Sequence, residues 1–235
     1  MVETIHMARW LIQLNAERID LREFQRLFAK GDVHVIEDGG VHYLTGPVFE
    51  PCTDAAAVRD RALDLIDEMF PVVSVTWQLA TKPEIGTVFR ENDAGGRDVF
   101  VLPSIGNIRC RATVIGVSDA SIGDGLTEAE RMLIAIRDNE HLRAAARRWS
   151  APVRSWSHLY GTYEELRHYL GQEPDAAGLC AKTTRIRFTQ SAQSHDVAGI
   201  DARHGIGYAP APANPMTLEE ATEFIRNLMG RVFRM

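Results

Sequence analysis

Arg203 and His204 stand side by side, followed by Gly205. An arginine next to a histidine offers a fixed cation and a titratable base at one place. That pairing suits phosphodiester cleavage, in which the histidine moves a proton and the arginine steadies the pentavalent phosphate. Arg187 and His195, on the preceding helix, could converge on the same point. The pair lies in a stretch rich in Gly, Ala and Pro, from Asp196 to Asn214, without a helical stripe. Loops of that length are more often functional than idle. The competing expectation is structural: Arg203 ties the loop down through backbone carbonyls, and His204 packs on Tyr208.

A second group is rich in arginine. Arg131, Arg137, Arg143, Arg147, Arg148 and Arg154 run past Trp149 and Trp156. Arginines among aromatics can grip phosphates and stack bases. Arg143, Arg147, Arg148 and Arg154 are therefore the expected nucleic-acid contacts. Glu128, Glu130, Asp138 and Glu140 interleave the first part of the run. A solvated helix face with intrahelical ion pairs is the alternative there.

The remaining chemistry-bearing types are sparse. His34 and His42 fall on facing strands of one expected hairpin and could share a face and a metal ion. With no third ligand beside them, neither a metal nor a cofactor is expected. Cys52, Cys110 and Cys180 lie far apart and form no CxxC pair. They read as small buried side chains of a reducing cytosol, without disulfides or structural zinc. There is no P-loop, no strand–GxGxxG–helix fingerprint, no HExxH and no GxSxG. Gly39-Gly40 and Gly95-Gly96 fall in hairpin turns, without the following helix that a phosphate site uses.

These residues need elements to hold them. The 235 residues are 45% hydrophobic and 25% charged, an ordinary globular composition with enough apolar side chains for a core. No stretch approaches the roughly 20 apolar residues of a membrane helix, and the N-terminus does not read as a signal peptide. A cytoplasmic protein that makes no membrane contact is expected. The net charge of −6 is uneven. Residues 1–122 carry 12 Lys+Arg against 18 Asp+Glu, and the rest carries 14 of each. An acidic surface cannot bind nucleic acid as a whole, so any such contact must be a local patch in the neutral half. Five of the eight histidines and four of the five tyrosines also lie there.

The first half alternates strands and helices. Trp10–Leu14 reads as a strand. Asp20 with Glu23 marks a helix start, followed by Leu21, Phe24, Leu27 and Phe28 at helical spacing and ended by Gly31. Residues 32–37 and 41–45 flank the turn Asp38-Gly39-Gly40 as a hairpin. Thr53 can cap a helix to about Met69, with Val58, Ala62, Leu65, Ile66 and Met69 buried and Pro71 closing it. Residues 72–79 alternate as a strand, further strands lie near 86–90 and 98–102, and a last one spans about 109–117. Ser118–Gly125 reads as a linker between a strand-rich α/β domain, 1–120, and a helical domain, 126–235.

The second half is helical. Thr127 with Glu130 is a capping box, and Ala129, Met132, Leu133 and Ile136 form its stripe. Asp138 and Asn139 interrupt it before a helix to about Trp149. The clearest helix carries Trp156, Leu159, Tyr160, Tyr163, Leu166 and Leu170 and stops at Gly171. A loop spans 171–183 and a short helix 185–194. Thr217 with Glu220 starts the last helix, with Leu218, Ala221, Phe224, Ile225, Leu228 and Val232 as its core face. The expected class is α+β: a mixed or antiparallel sheet with two helices, then a helical bundle.

The segment RFTQSAQSHDVAGIDARHGIGYAPAPANPMTLEEATEFIRNLM, with the helix WSHLYGTYEELRHYL, looks like the tail of a broad set of uncharacterised bacterial proteins. Its aromatic helix, ARHG loop and PMTLEEA helix start also resemble the helical HEPN-type domains of toxins and phage-defence proteins, over residues 127–235. The resemblance implies a metal-independent ribonuclease with an Arg and a downstream His at a dimer interface. Here Arg203 and His204 are adjacent. Arg137 and His141, and Arg154 and His158, are each four apart, short of the family spacing. The resemblance therefore implies an altered motif in a relative that binds nucleic acid, or a protein partner, without cutting.

Three readings follow. The first is a non-catalytic binding or assembly module of a bacterial defence or stress system. It would be a homodimer through Trp156, Tyr160 and Tyr163 if the bundle cannot bury that stripe. The second is a ribonuclease using Arg203 and His204, with Arg187 and His195. The third is a small-molecule enzyme of another type.

Overall fold

A hydrophobic run too continuous for a half-exposed strand opens the described chain. Trp10–Asn15 forms β1, whose Leu11, Ile12 and Leu14 are all buried. A strand apolar on successive residues must be covered on both faces, and β1 is accordingly central in its sheet. The computed structural model describes residues 9–77, 80–92, 96–101, 126–151, 153–203 and 210–235. The expected strand at 109–117, the linker at 118–125, and His204, Gly205 and Tyr208 lie outside them.

The chain divides into two compact units: Met1–Ile66 with Thr81–Arg131, and Asp67–Ala80 with Met132–Met235. The first unit carries a five-stranded sheet, ordered β2-β3-β1-β4-β5, with β2 at His34–Asp38, β3 at Val41–Thr45, β4 at Glu84–Glu91 and β5 at Arg97–Phe100. Every pairing among them is antiparallel. The β2–β3 hairpin turns at Gly39 and Gly40, with φ of +60° and +81°. Both values lie in the left-handed region that only glycine enters without strain.

Helix α1, Arg18–Leu27, buries Leu21, Phe24 and Leu27 as the spacing predicts. Its N-cap is Glu17, and Asp20 lies inside the first turn. Asp20 is buried and its carboxylate accepts from the Thr81 N–H at 3.1 Å, so it ties down another segment and does not cap the helix.

The largest departure from expectation is α2, Ala55–Thr76. Asp54, not Thr53, supplies the cap, accepting from the Ala57 N–H at 2.9 Å. The helix continues through Pro71 and absorbs residues expected to form a strand. A proline inside a helix leaves the carbonyl four residues earlier without its donor. That carbonyl, on Asp67, instead accepts from the Ser150 hydroxyl at 2.8 Å. Val72 and Val73 are fully buried, so packing overrides their β preference.

The second unit is helical. Helix α3, Glu128–Asp138, starts in the first unit at the expected Thr127/Glu130 box and ends in the second. Helix α4, Glu140–Trp149, is capped by Asn139, whose side chain accepts from two backbone N–H groups. Helix α5, Trp156–Leu170, ends at Gly171 with φ +65°. Helices α6, Lys182–Gln193, and the short α7, His195–Ala198, precede α8, Leu218–Val232. The expected Thr217/Glu220 capping box is present, but Leu218 is 38% exposed and does not join the core face.

Phe188 of α6 is the hub of this core. Its ring centroid lies 5.1 Å from Phe224, 5.5 Å from Tyr163, 6.3 Å from Tyr160 and 6.4 Å from Trp156. Buried Glu68 faces Arg137 at 3.2 Å and Arg143 at 3.9 Å. No helix among the described residues is long and apolar enough to cross a membrane.

Candidate functional site: paired and unpaired arginines of the helical unit

Arg203 is anchored from three sides. Its backbone N–H donates to the Ala192 carbonyl at 3.2 Å, at the end of α6. Its guanidinium donates to Glu164 of α5 at 2.5 Å and lies 5.0 Å from the Tyr160 ring centroid. The Tyr160 hydroxyl in turn accepts from Gln193 at 3.0 Å. These contacts use the side chain as a brace between α5 and the start of the 203–214 segment.

Arg187 is more fully engaged. It donates to the carbonyls of Asn214 at 2.7 Å and Pro215 at 3.0 Å, and to both Glu220 oxygens at 3.1 and 2.9 Å. The Thr217 backbone N–H, then Arg187, hold the Glu220 carboxyl below its ordinary value. Arg187 thus clamps the chain entering α8 to the capping box that starts it. Arg187 and Arg203 share no partner, and no hydrogen bond joins His195 to either. The expected four-residue convergence is therefore not seen for its three described members.

The nucleic-acid set divides sharply. Arg143 sits on Glu68 and donates to the Arg137 carbonyl. Arg148 lies 3.6 Å from Glu165 and packs against Gly161, where an added Cβ would come within 2.9 Å of its guanidinium. Arg147 is exposed. Arg154 differs from all of these. Its guanidinium carbon stands 3.8 Å from the Trp149 ring centroid, and its Nε is buried with no acceptor. Arg226 of α8 also has a buried Nε with no acceptor. Burial, then the positive charge of Arg226, push the Arg154 pKa below its ordinary value, and no carboxylate counters them.

The aromatic residues are not available for bases or for a second subunit. Trp149 is 2% exposed and its indole N–H donates to Ser74 at 2.7 Å. Trp156, Tyr160 and Tyr163 are 7%, 9% and 2% exposed and pack around Phe188. The bundle buries this stripe, so the condition under which it would form a dimer surface is not met. These three residues are core, and not an open interface.

One cluster escaped sequence reasoning. His141 and His168 stack with centroids 5.4 Å apart, and His141 Nδ1 lies 3.0 Å from Glu165, which also faces Arg148. The contact joins the start of α4 to the end of α5, so no local spacing could announce it.

His34 and His42 do not share a face. His34 is paired with Thr45 and His42 with Glu37 across the same hairpin, which places the two on opposite sides of the sheet. No group of three or more potential metal ligands occurs among the described residues. Burial raises the Cys52 and Cys180 thiols, the reverse of what an activated nucleophile needs. An open cleft of about 410 Å³ beside α8 is lined by Cys180, Arg187, Glu220, Phe224 and Arg231. Arg187 and Glu220, its central polar groups, already satisfy one another.

No protein-family model matches the sequence, and no curated protein and no solved structure matches it.

Proposed function

We propose that the helical unit is a non-catalytic module that binds single-stranded RNA through a local basic site around Arg154. The observation that carries this reading is a contrast. The two described arginines of the expected cleavage site each hold a carboxylate, whereas Arg154 of the expected binding set holds none. An arginine committed to a glutamate has little capacity to steady a pentavalent phosphate, while an unpaired one seeks an anion. Arg147 and Arg148 are exposed on α4 beside it, and Arg148 also faces Glu165. The HEPN-like relationship and a defence or stress role belong to this proposal as a relative that keeps binding and has lost cutting.

The test uses the whole protein and a fluorescently labelled single-stranded RNA in EDTA. Saturable binding that weakens with salt is expected, and the RNA should be recovered intact. Arg154→Ala should lower the slope of log affinity against log salt by about one phosphate contact. Cleavage that disappears in His204→Ala would restore the nuclease reading, and absence of binding at low salt would remove RNA as the ligand.

A further inference from the structure

We propose that the cleft between α6 and α8 binds a short free peptide, held by its two charged ends. This goes beyond the RNA-binding reading and does not rest on it.

Two antiparallel helices define the cleft. Arg187 of α6 reaches Glu220 in the first turn of α8, and Arg231 in the last turn of α8 donates to the Leu179 carbonyl, just ahead of α6, at 2.8 Å. Between those points Phe188 and Phe224 join the helices, with centroids 5.1 Å apart. The floor is apolar, since Met216, Phe224 and Leu228 line the cleft and are all buried. An apolar floor under a few polar groups, in about 410 Å³, is the form of a small-ligand site.

The rim supplies the polar groups. Glu223, Asn227 and Arg231 follow one another at four-residue spacing on one side of α8, and all three are exposed and line the cleft. Thr184 lines it from α6. Arg187 and Glu220 are closed on one another and add no net charge. Thr184, Glu223 and Asn227 have no hydrogen-bond or ion-pair partner among the described residues, and Arg231 uses only Nη1, on a carbonyl. The cleft therefore offers one free negative group and one free positive group, with an amide between them.

That pattern selects its occupant. The eight residues from Glu223 to Arg231 correspond to a helical rise of about 12 Å. An extended peptide advances about 3.3 Å per residue, so roughly three or four residues cover the span. Its N-terminal ammonium then meets Glu223, and its C-terminal carboxylate meets the free donors of the Arg231 fork. Asn227 both donates and accepts, and so matches a peptide group between the ends. Apolar side chains of the occupant cover Phe224 and Leu228. A longer chain would set an uncharged peptide group against Glu223 or Arg231.

The experiment is calorimetric titration of the full chain with the tetrapeptide Ala-Leu-Leu-Ala, in free, N-acetylated, C-amidated and doubly capped forms. One-to-one binding of the free form is expected, with at least tenfold weaker binding of each singly capped form. Glu223→Gln should abolish discrimination against the acetylated peptide only, and Arg231→Gln against the amidated peptide only. Both side chains are exposed, and a purely structural role would not produce this crossed pattern.

Cys180 lines the cleft and gives a readout without a variant. Its alkylation by N-ethylmaleimide, followed by mass spectrometry, should slow in the free tetrapeptide and not in the doubly capped one. Absence of both binding and protection with the free peptide overturns the site, as does equal affinity for the free and doubly capped forms. Tighter binding of an octapeptide of the same composition also overturns it, by assigning the groove to a longer chain. None of these outcomes bears on RNA binding, which is read separately with the labelled RNA.

Discussion

Two arginine regions lie in the same helical unit and are solved in opposite ways. On the α6–α8 side, Arg187 and Arg203 each meet a glutamate, and Arg187 also meets two backbone carbonyls. Charge there is neutralised inside the fold, where it holds Arg203 to α5 and the residues entering α8 to α6. Between α4 and α5, Arg154 has a buried Nε without an acceptor and no carboxylate against it. Positive charge accumulates there against the cost of burial. The difference separates an arginine whose charge is met inside the fold from one whose charge is not.

The comparison can be broken at several points. The largest effect is expected from Phe188→Ala, which removes the ring on which Trp156, Tyr160 and Tyr163 converge. A loss of about 3–5 kcal/mol is expected from the cavity alone, measured by urea denaturation. The Arg203 brace should loosen with it, because Tyr160 lies between them. Retention of wild-type stability would mean that the hub is not the support of that region.

Arg187→Ala should cost less, about 2 kcal/mol from the two carbonyl hydrogen bonds it abandons. Proteolysis should then open the segment before α8 first. Arg226→Met should move stability the other way, a gain of about 1 kcal/mol, because it removes a buried Nε donor that has no acceptor. A loss in that variant would show that Arg226 already has a stabilising partner.

The smallest effect is a pH dependence. The Glu220 carboxyl is held below its ordinary value of 4.5 by the Thr217 N–H and then by Arg187. The folded value is the lower one, so its stabilisation is complete above about pH 4.5 and is lost as pH falls through the folded value. Arg187→Ala should shift that acid loss to higher pH without abolishing it, since the backbone bond remains. Unfolding followed by circular dichroism between pH 6 and pH 2 reads the difference.

Particular elements show how much could be read beforehand. The β2–β3 hairpin, both capping boxes and the Gly171 stop follow from chemistry within a few residues, and all appear as expected. The extension of α2 beyond Pro71 could not be read locally, because the donor that satisfies Asp67 is Ser150, in another helix's final turn. The His34–His42 pairing failed on register: opposed residues share a face, and these two are not opposed. In the candidate site, Arg154 and its neighbour Trp149 were visible as an arginine beside an aromatic. Their arrangement was not, since it depends on a Trp149 held by Ser74 of another helix.

The sequence by itself determined the α+β class, a mixed or antiparallel sheet from turn glycines and alternating strands, and where most helices begin and end. These depend on backbone conformation, capping donors and periodic burial, all of them local. Only the tertiary structure decided which arginines carry a counter-charge. Arg187, Arg203 and Arg154 look alike in one dimension. The carboxylates that meet Arg187 and Arg203 lie 33 and 39 residues away, and electrostatics in a folded chain depends on distance and desolvation, not on neighbours in sequence.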